Sequence, residues 1–161
     1  MTRARNWEIA DFIFIVLAGS LLHFVYGWSG ERAAVGVFSP INESVWEHLK
    51  LLYFPALAFG GIEYIFLRRR TRSLITAKAV GILLGMVFTV AAFYSYTAIA
   101  GDNFLWADIG LFVLSAAIAA YCSYVCRDCF SGNIAGFNIM LVLFGLFVAF
   151  TFFTPDIFIF N

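Results

Sequence analysis

The sequence contains five apolar stretches, each long enough for an α-helix to cross a lipid bilayer. A spanning helix needs about 20 mostly apolar residues, and these stretches cover residues 11–28, 48–67, 78–100, 105–125 and 133–153. Hydrocarbon offers the backbone no hydrogen-bond partners, so segments of this kind fold as helices. We therefore predict an all-α fold: a polytopic membrane protein, a bundle of five transmembrane helices that forms a single domain over residues 1–161.

The composition supports this interpretation and excludes several classes of protein. Only 12% of the residues are charged and 63% are hydrophobic, whereas a soluble domain has about 25% charged residues. The formal net charge is +0, so the chain lacks the basic field that nucleic-acid binding requires. The composition excludes a soluble enzyme, a disordered chain and a nucleic-acid-binding protein, and the expected partner is the lipid bilayer.

The basic residues predict how the bundle is oriented in the membrane. In a five-helix arrangement, only Arg32 and Lys50 fall on the side opposite the N-terminus. The other eight lie on the N-terminal side: Arg3, Arg5, Arg68, Arg69, Arg70, Arg72, Lys78 and Arg127. Lysine and arginine are enriched in cytoplasmic loops. We therefore predict a multi-pass protein of the cell membrane with its N-terminus inside and its C-terminus, with Asp156, outside.

The second apolar stretch carries signals for its start and its shape. Ser39 is a suitable N-cap and Pro40 suits the first helical position, so we predict that this helix begins near Pro40. Pro55 lies inside the stretch and removes one backbone hydrogen bond, which predicts a bend. Glu63 precedes the arginine run 68–70 by one to two turns, and we expect those arginines to neutralise it near the interface.

Both histidines and several carboxylates are predicted to lie at one level, near the extracytoplasmic surface. Ionisable side chains within a membrane are costly and often mark functional sites. Imidazole and carboxylate groups from neighbouring helices suit a divalent metal ion or proton transfer. We predict metal ligands among His23, Glu43, Glu47, His48 and Asp108, and catalytic roles for Glu43, Glu47 and His48.

A simpler interpretation of the same segment needs no site. It treats residues 39–50 as the hydrated entrance of the second helix, with Glu47 and Lys50 paired at the surface. These two side chains lie on one helical stripe, because residues three apart face the same way. His48 points about 100° away from Glu47, so one helix cannot direct all of these groups to one point, and a shared site requires His23 or Asp108.

Two segments resemble a known family. They are the run Pro-Ile-Asn-Glu-Ser-Val-Trp-Glu-His-Leu-Lys at residues 40–50, followed by Tyr-Phe-Pro at 53–55, and His-Phe-Val-Tyr at 23–26. Together they resemble the signature of an uncharacterised family of small bacterial integral membrane proteins. The resemblance implies the same membrane architecture, in a bacterial inner membrane, and implies no particular reaction.

Three functions remain open from the sequence. The first is a metal-dependent site, open to the extracytoplasmic side, that acts on or binds a lipid-like or small amphiphilic substrate. The second is a small oligomeric transporter, suggested by a polar stripe of Asp108, Ser115 and Cys122 on the fourth helix. The third is a non-catalytic membrane assembly partner. Homo-oligomers could form through GxxxG faces, which allow close helix packing, at Gly81/Gly85 or Gly132/Gly136.

Overall fold

The computed structural model describes residues 2–69, 71–155 and 159, and the regular structure within them is all helical. The helices are α1 (Thr2–Trp28), α2 (Ala33–Gly36), α3 (Val45–Leu67), α4 (Leu74–Ala100), α5 (Leu105–Cys126) and α6 (Ile134–Phe152). Five of them, all except α2, are long and apolar enough to cross a membrane. The predicted all-α fold, with five helices long and apolar enough to span a membrane, is therefore confirmed. Arg70 and Asp156, which entered the predicted orientation, lie outside the described residues.

Apolar side chains occupy both the centre of the bundle and its outer surface. Helix α4 lies against α3, α5 and α6, and α1 lies against α3 and α5. Ile15, Leu52 and Phe147 are buried at the centre, whereas Leu17 and Ile65 point outwards and are largely exposed. An apolar outer surface of this kind is expected where the surrounding medium is lipid rather than water. The fold is therefore that of a multi-pass membrane protein.

Three of the four predicted GxxxG glycines pack against another helix of the same chain, and a Cβ atom added to the fourth, Gly132, would meet nothing within 4 Å among the described residues. A Cβ atom added to Gly81 would collide with the Ala119 carbonyl oxygen, and one added to Gly85 would lie 2.8 Å from the Ser115 carbonyl oxygen. These glycines therefore bring α4 close to α5. Gly136 likewise packs against the backbone at Thr76. Gly81, Gly85 and Gly136 are therefore not free to form an interface between two copies of the chain, because another helix of the same chain already covers them.

The start predicted for the second membrane helix is wrong. Helix α3 begins at Val45, and its N-cap is Ser44, whose hydroxyl accepts a hydrogen bond from the Glu47 amide. Ser39 is buried in the preceding loop, where its hydroxyl donates to the Leu22 carbonyl and accepts from the Tyr26 amide of α1. Ser39 is therefore not the N-cap of this helix, because its hydroxyl is already hydrogen-bonded to the backbone of α1.

Helix α3 continues through its proline. Pro55 is buried inside α3, which extends without interruption to Leu67. A proline in a helix interior leaves one carbonyl without its usual donor. The bend expected there stays a prediction.

Candidate functional site

Three potential metal ligands meet at one end of the bundle. We call this end the α2 end, because it carries α2 and the turn between α4 and α5. One ligand atom from each of His23, Glu43 and His48 lies within 4.8 Å of the other two. We refer to these residues as the His–Glu triad. The imidazole rings of His23 and His48 are 5.2 Å apart between centroids, although they come from different helices.

The local structure orients the His48 ring. Its Nδ1 lies 2.9 Å from the Ser44 carbonyl oxygen, and a carbonyl can only accept, so Nδ1 carries the proton. The opposite nitrogen, Nε2, lies 3.4 Å from Oε2 of Glu43. In metal sites, a ligating histidine usually donates its other N–H in this way to a carbonyl or carboxylate. The His48 ring is therefore held with Nε2 directed towards the triad.

The other two members differ in their exposure. Nδ1 of His23 is buried and has no hydrogen-bond partner among the described residues. A buried polar atom without a partner costs free energy, so this nitrogen is suited to an additional ligand. The Glu43 side chain is 85% exposed, which leaves its carboxylate free to reorient. This donor set fits a borderline metal ion such as Zn²⁺, which takes imidazole and carboxylate ligands.

A cavity of about 230 Å³ lies beside the triad. Glu43 and His48 contribute to its wall, together with the polar side chains of Thr89, Asn103 and Asp108. The remaining lining is apolar: Val45, Leu49, Leu51, Leu52, Phe93, Leu111 and Phe112. Among the described residues, the lining therefore combines carboxylates with apolar side chains and includes no lysine or arginine.

Asp108 lies on the cavity wall and already has hydrogen-bond donors. Its Oδ1 accepts a short hydrogen bond from the Tyr96 hydroxyl, and its Oδ2 lies 3.5 Å from Nδ2 of Asn103. Asp108 is not a member of the His–Glu triad. The structure thus places it in the same cavity as Glu43 and His48, with partners from α4 and the α4–α5 turn.

Glu47 lies in a separate, buried ion pair. Its Oε2 is 2.6 Å from Nζ of Lys50, and it also accepts a hydrogen bond from the Ile41 amide. The Lys50 side chain is 0% exposed, and Nζ donates to the Gly36 carbonyl and the Thr151 hydroxyl as well. The pairing expected for these residues is present, but it is buried rather than at the surface. This pair ties α3 to α2 and α6.

A second group of charged side chains lies at the opposite end of the bundle. Lys78 is 1% exposed, and its Nζ contacts three carboxylates: Glu8 at 3.0 Å, Asp11 at 2.7 Å and Glu63 at 2.7 Å. Arg127 adds a contact of 3.3 Å to Glu8. We call these five residues the Lys78 cluster. The cluster joins side chains from α1, α3 and α4 to the end of α5.

The expectation for Glu63 is wrong. The side chain does not extend to the interface, because it is 0% exposed and lies against Lys78; Arg70, the last residue of the arginine run, lies outside the described residues. Sequence reasoning also missed Glu8 and Asp11, and it used Lys78 only as one of the basic residues that predict the orientation. The available signal was their position: each charge lies within about two turns of a helix end on the same side of the predicted bundle.

Comparison with known proteins identifies the family but no characterised relative. The chain belongs to a family of unknown function (DUF6512), whose model matches residues 1–161. No curated protein and no solved structure matches the chain.

Proposed function

We propose that the His–Glu triad binds a divalent transition-metal ion, and that this centre acts on or binds a lipid-like or small amphiphilic molecule in the adjoining cavity. One observation carries the proposal: the Ser44 carbonyl holds Nδ1 of His48 protonated, so that Nε2 is directed at Glu43. His23 supplies a second imidazole within 4.8 Å. Two imidazoles and one carboxylate are a ligand set used by catalytic zinc sites.

The metal ion would supply Lewis-acid chemistry or an activated water. With three protein ligands, a zinc ion keeps a further position for water or substrate. In this proposal His23, Glu43 and His48 would hold the ion, and Asp108, on the wall of the adjoining cavity, is a candidate acid or base. Glu47 is left out of the ligand set, because Lys50 and the Ile41 amide already occupy its carboxylate.

The cavity lining supports an amphiphilic ligand. Its leucines and phenylalanines suit an acyl or alkyl chain, and Thr89, Asn103 and Asp108 offer hydrogen bonds to a polar head. The cavity also lies near one end of the membrane helices, where lipid headgroups are found.

The structure supports a transport passage less well than it supports a binding site in the cavity. The proposed polar stripe on the fourth helix passes through Ser115, which is buried and hydrogen-bonded to the Thr89 hydroxyl at 2.7 Å. Its carbonyl lies in the close contact with Gly85. Tight packing between α4 and α5 therefore accounts for this part of the stripe.

Metal binding provides the direct test. We expect metal-free purified protein to bind Zn²⁺, measured by isothermal titration calorimetry. Replacing His48 by Gln should weaken that affinity by more than about 100-fold, because loss of a direct ligand exceeds the ~10–100-fold effect of outer partners. Glu31→Gln is the matched control, because Glu31 is an exposed carboxylate at the same end of the bundle. A wild-type protein that binds no Zn²⁺, or a His48→Gln variant that binds it equally well, would refute the metal centre.

We also propose that the α2 end faces the outside of the cell membrane, as the distribution of basic residues indicates. Cys129 is exposed at the opposite end. In intact cells, a membrane-impermeant maleimide should leave Cys129 unlabelled. The same reagent should label Arg32→Cys in a chain whose native cysteines are replaced by serine, and both sites should react after permeabilisation. Labelling of Cys129 in intact cells would contradict the proposed orientation and indicate the opposite one.

A further inference from the structure

We propose that the Lys78 cluster is a proton-binding site, and that its proton resides on Glu63. This site is separate from the His–Glu triad and does not depend on the metal centre. The proposal begins with the charges in the cluster. Among the described residues, the cations that contact Glu8, Asp11 and Glu63 are Lys78 and Arg127, so full ionisation leaves one excess negative charge. An uncompensated charge buried in a membrane bundle is expensive.

The charged groups around Glu63 come from each helix that packs there. Helix α1 contributes Glu8 and Asp11, α4 contributes Lys78, and Arg127 follows the end of α5. Helix α6 carries no charged residue. No further cation is therefore present among the described contacts of the cluster to balance the third carboxylate. One proton bound to a carboxylate makes the cluster neutral.

The hydrogen bonds indicate which carboxyl group holds the proton. Both oxygens of Glu8 are used, by Lys78 on one side and by Ser123 and Arg127 on the other. Oδ2 of Asp11 accepts a hydrogen bond from Lys78 at 2.7 Å.

Of the three carboxyl groups, Glu63 accepts the fewest hydrogen bonds that would stabilise its ionised form. Its Oε2 lies 2.7 Å from Nζ of Lys78 without the alignment of a hydrogen bond, and neither oxygen has a hydrogen-bond partner among the described residues. A carboxylate is stabilised by the hydrogen bonds that it accepts, so Glu63 is the member best suited to the neutral form.

Protonated Glu63 would also supply a missing donor. Oδ1 of Asp11 is buried and has no donor among the described residues, and both carboxyl groups contact the same ammonium. Proton uptake forms an O–H bond on Glu63 and removes one negative charge from the centre shared by α1, α3, α4 and α5. Release of the proton restores that charge, so occupancy of the site links the packing of these helices to pH.

Infrared spectroscopy of the protein in liposomes tests the proposal. At neutral pH we expect a carbonyl-stretch band of a protonated carboxylic acid, shifted in D₂O, in the wild-type protein. Glu63→Gln should lose this band and remain folded, since glutamine resembles the protonated acid. Glu43→Gln is the control and should keep the band, because Glu43 is exposed and distant from the cluster.

Two results would overturn the proposal: absence of the band from the wild-type spectrum, or its persistence in Glu63→Gln. If Glu63→Gln fails to fold, Asp11→Asn provides the second variant. This change removes the excess negative charge, so Glu63 should ionise and the band should again be lost. Retention of the band in folded Asp11→Asn would contradict the charge balance on which the proposal rests.

Discussion

Replacing Lys78 by Met should destabilise this protein more than the loss of any other single charged side chain. Methionine approximates the length of the side chain but leaves Glu8, Asp11 and Glu63 with no ammonium between them. Removing one partner from a buried ion pair costs about 3–5 kcal/mol, and here one cation serves three carboxylates. Since total stability is typically about 5–15 kcal/mol, we expect most of the chain to unfold or aggregate. Thermal unfolding and size-exclusion chromatography in detergent would measure the loss.

The matched control for this change lies in the same cluster. The cluster has three carboxylates and two cations, and Glu63→Gln removes the carboxylate that has no cation of its own. This change should therefore lower stability far less than Lys78→Met does. The two variants alter the same contact, which separates loss of the contact from the creation of unbalanced charge. Equal stability of Lys78→Met and the wild-type protein would mean that water reaches these carboxylates and compensates them.

Replacing Glu47 by Leu should have the second-largest effect. Lys50 would remain fully buried, and its partners in the described part of the chain would be the Gly36 carbonyl and the Thr151 hydroxyl. An ammonium without a counter-ion in this position should cost about 3–5 kcal/mol. The same thermal unfolding measurement in detergent applies. A catalytic role for Glu47 predicts the opposite outcome, in which the fold is kept and only activity is lost.

A double variant determines whether the cost comes from the unpaired charge. Glu47→Leu/Lys50→Met removes both charges, and replacing a buried pair by apolar residues is often neutral or even stabilising. The Ile41 amide and the Gly36 carbonyl lose partners, at about 1–3 kcal/mol for each group left buried without one. We therefore expect the double variant to recover part of the stability that Glu47→Leu loses. Additive losses in a double-mutant cycle would show that the two side chains are not coupled.

The candidate site was only partly predictable from the sequence. Helical geometry places Glu47 and His48 about 100° apart, so the sequence could exclude a single-helix site and required a second helix. In the structure that second helix is α1, which brings His23 next to His48. The structure assigns Glu47 to Lys50 instead, a choice that depends on how the preceding loop folds over α3. No local pattern records that fold, since Ser39 has the sequence context of an N-cap and is used by α1.

The sequence by itself determined that this chain forms five helices long and apolar enough to span a membrane, because length and hydropathy are properties of each segment alone. The tertiary structure decided which charges meet. Glu63 pairs with Lys78, fifteen residues later in the chain and on another helix, although Arg68 and Arg69 are nearer in sequence. A charge in a low-dielectric interior needs a partner, and for Glu63 that partner comes from another helix. Which residue becomes the partner depends on how the helices are rotated about their axes and how far each is shifted along its neighbour. Glycines such as Gly81 and Gly136, whose Cα atoms lie against the backbone of another helix, contribute to that packing.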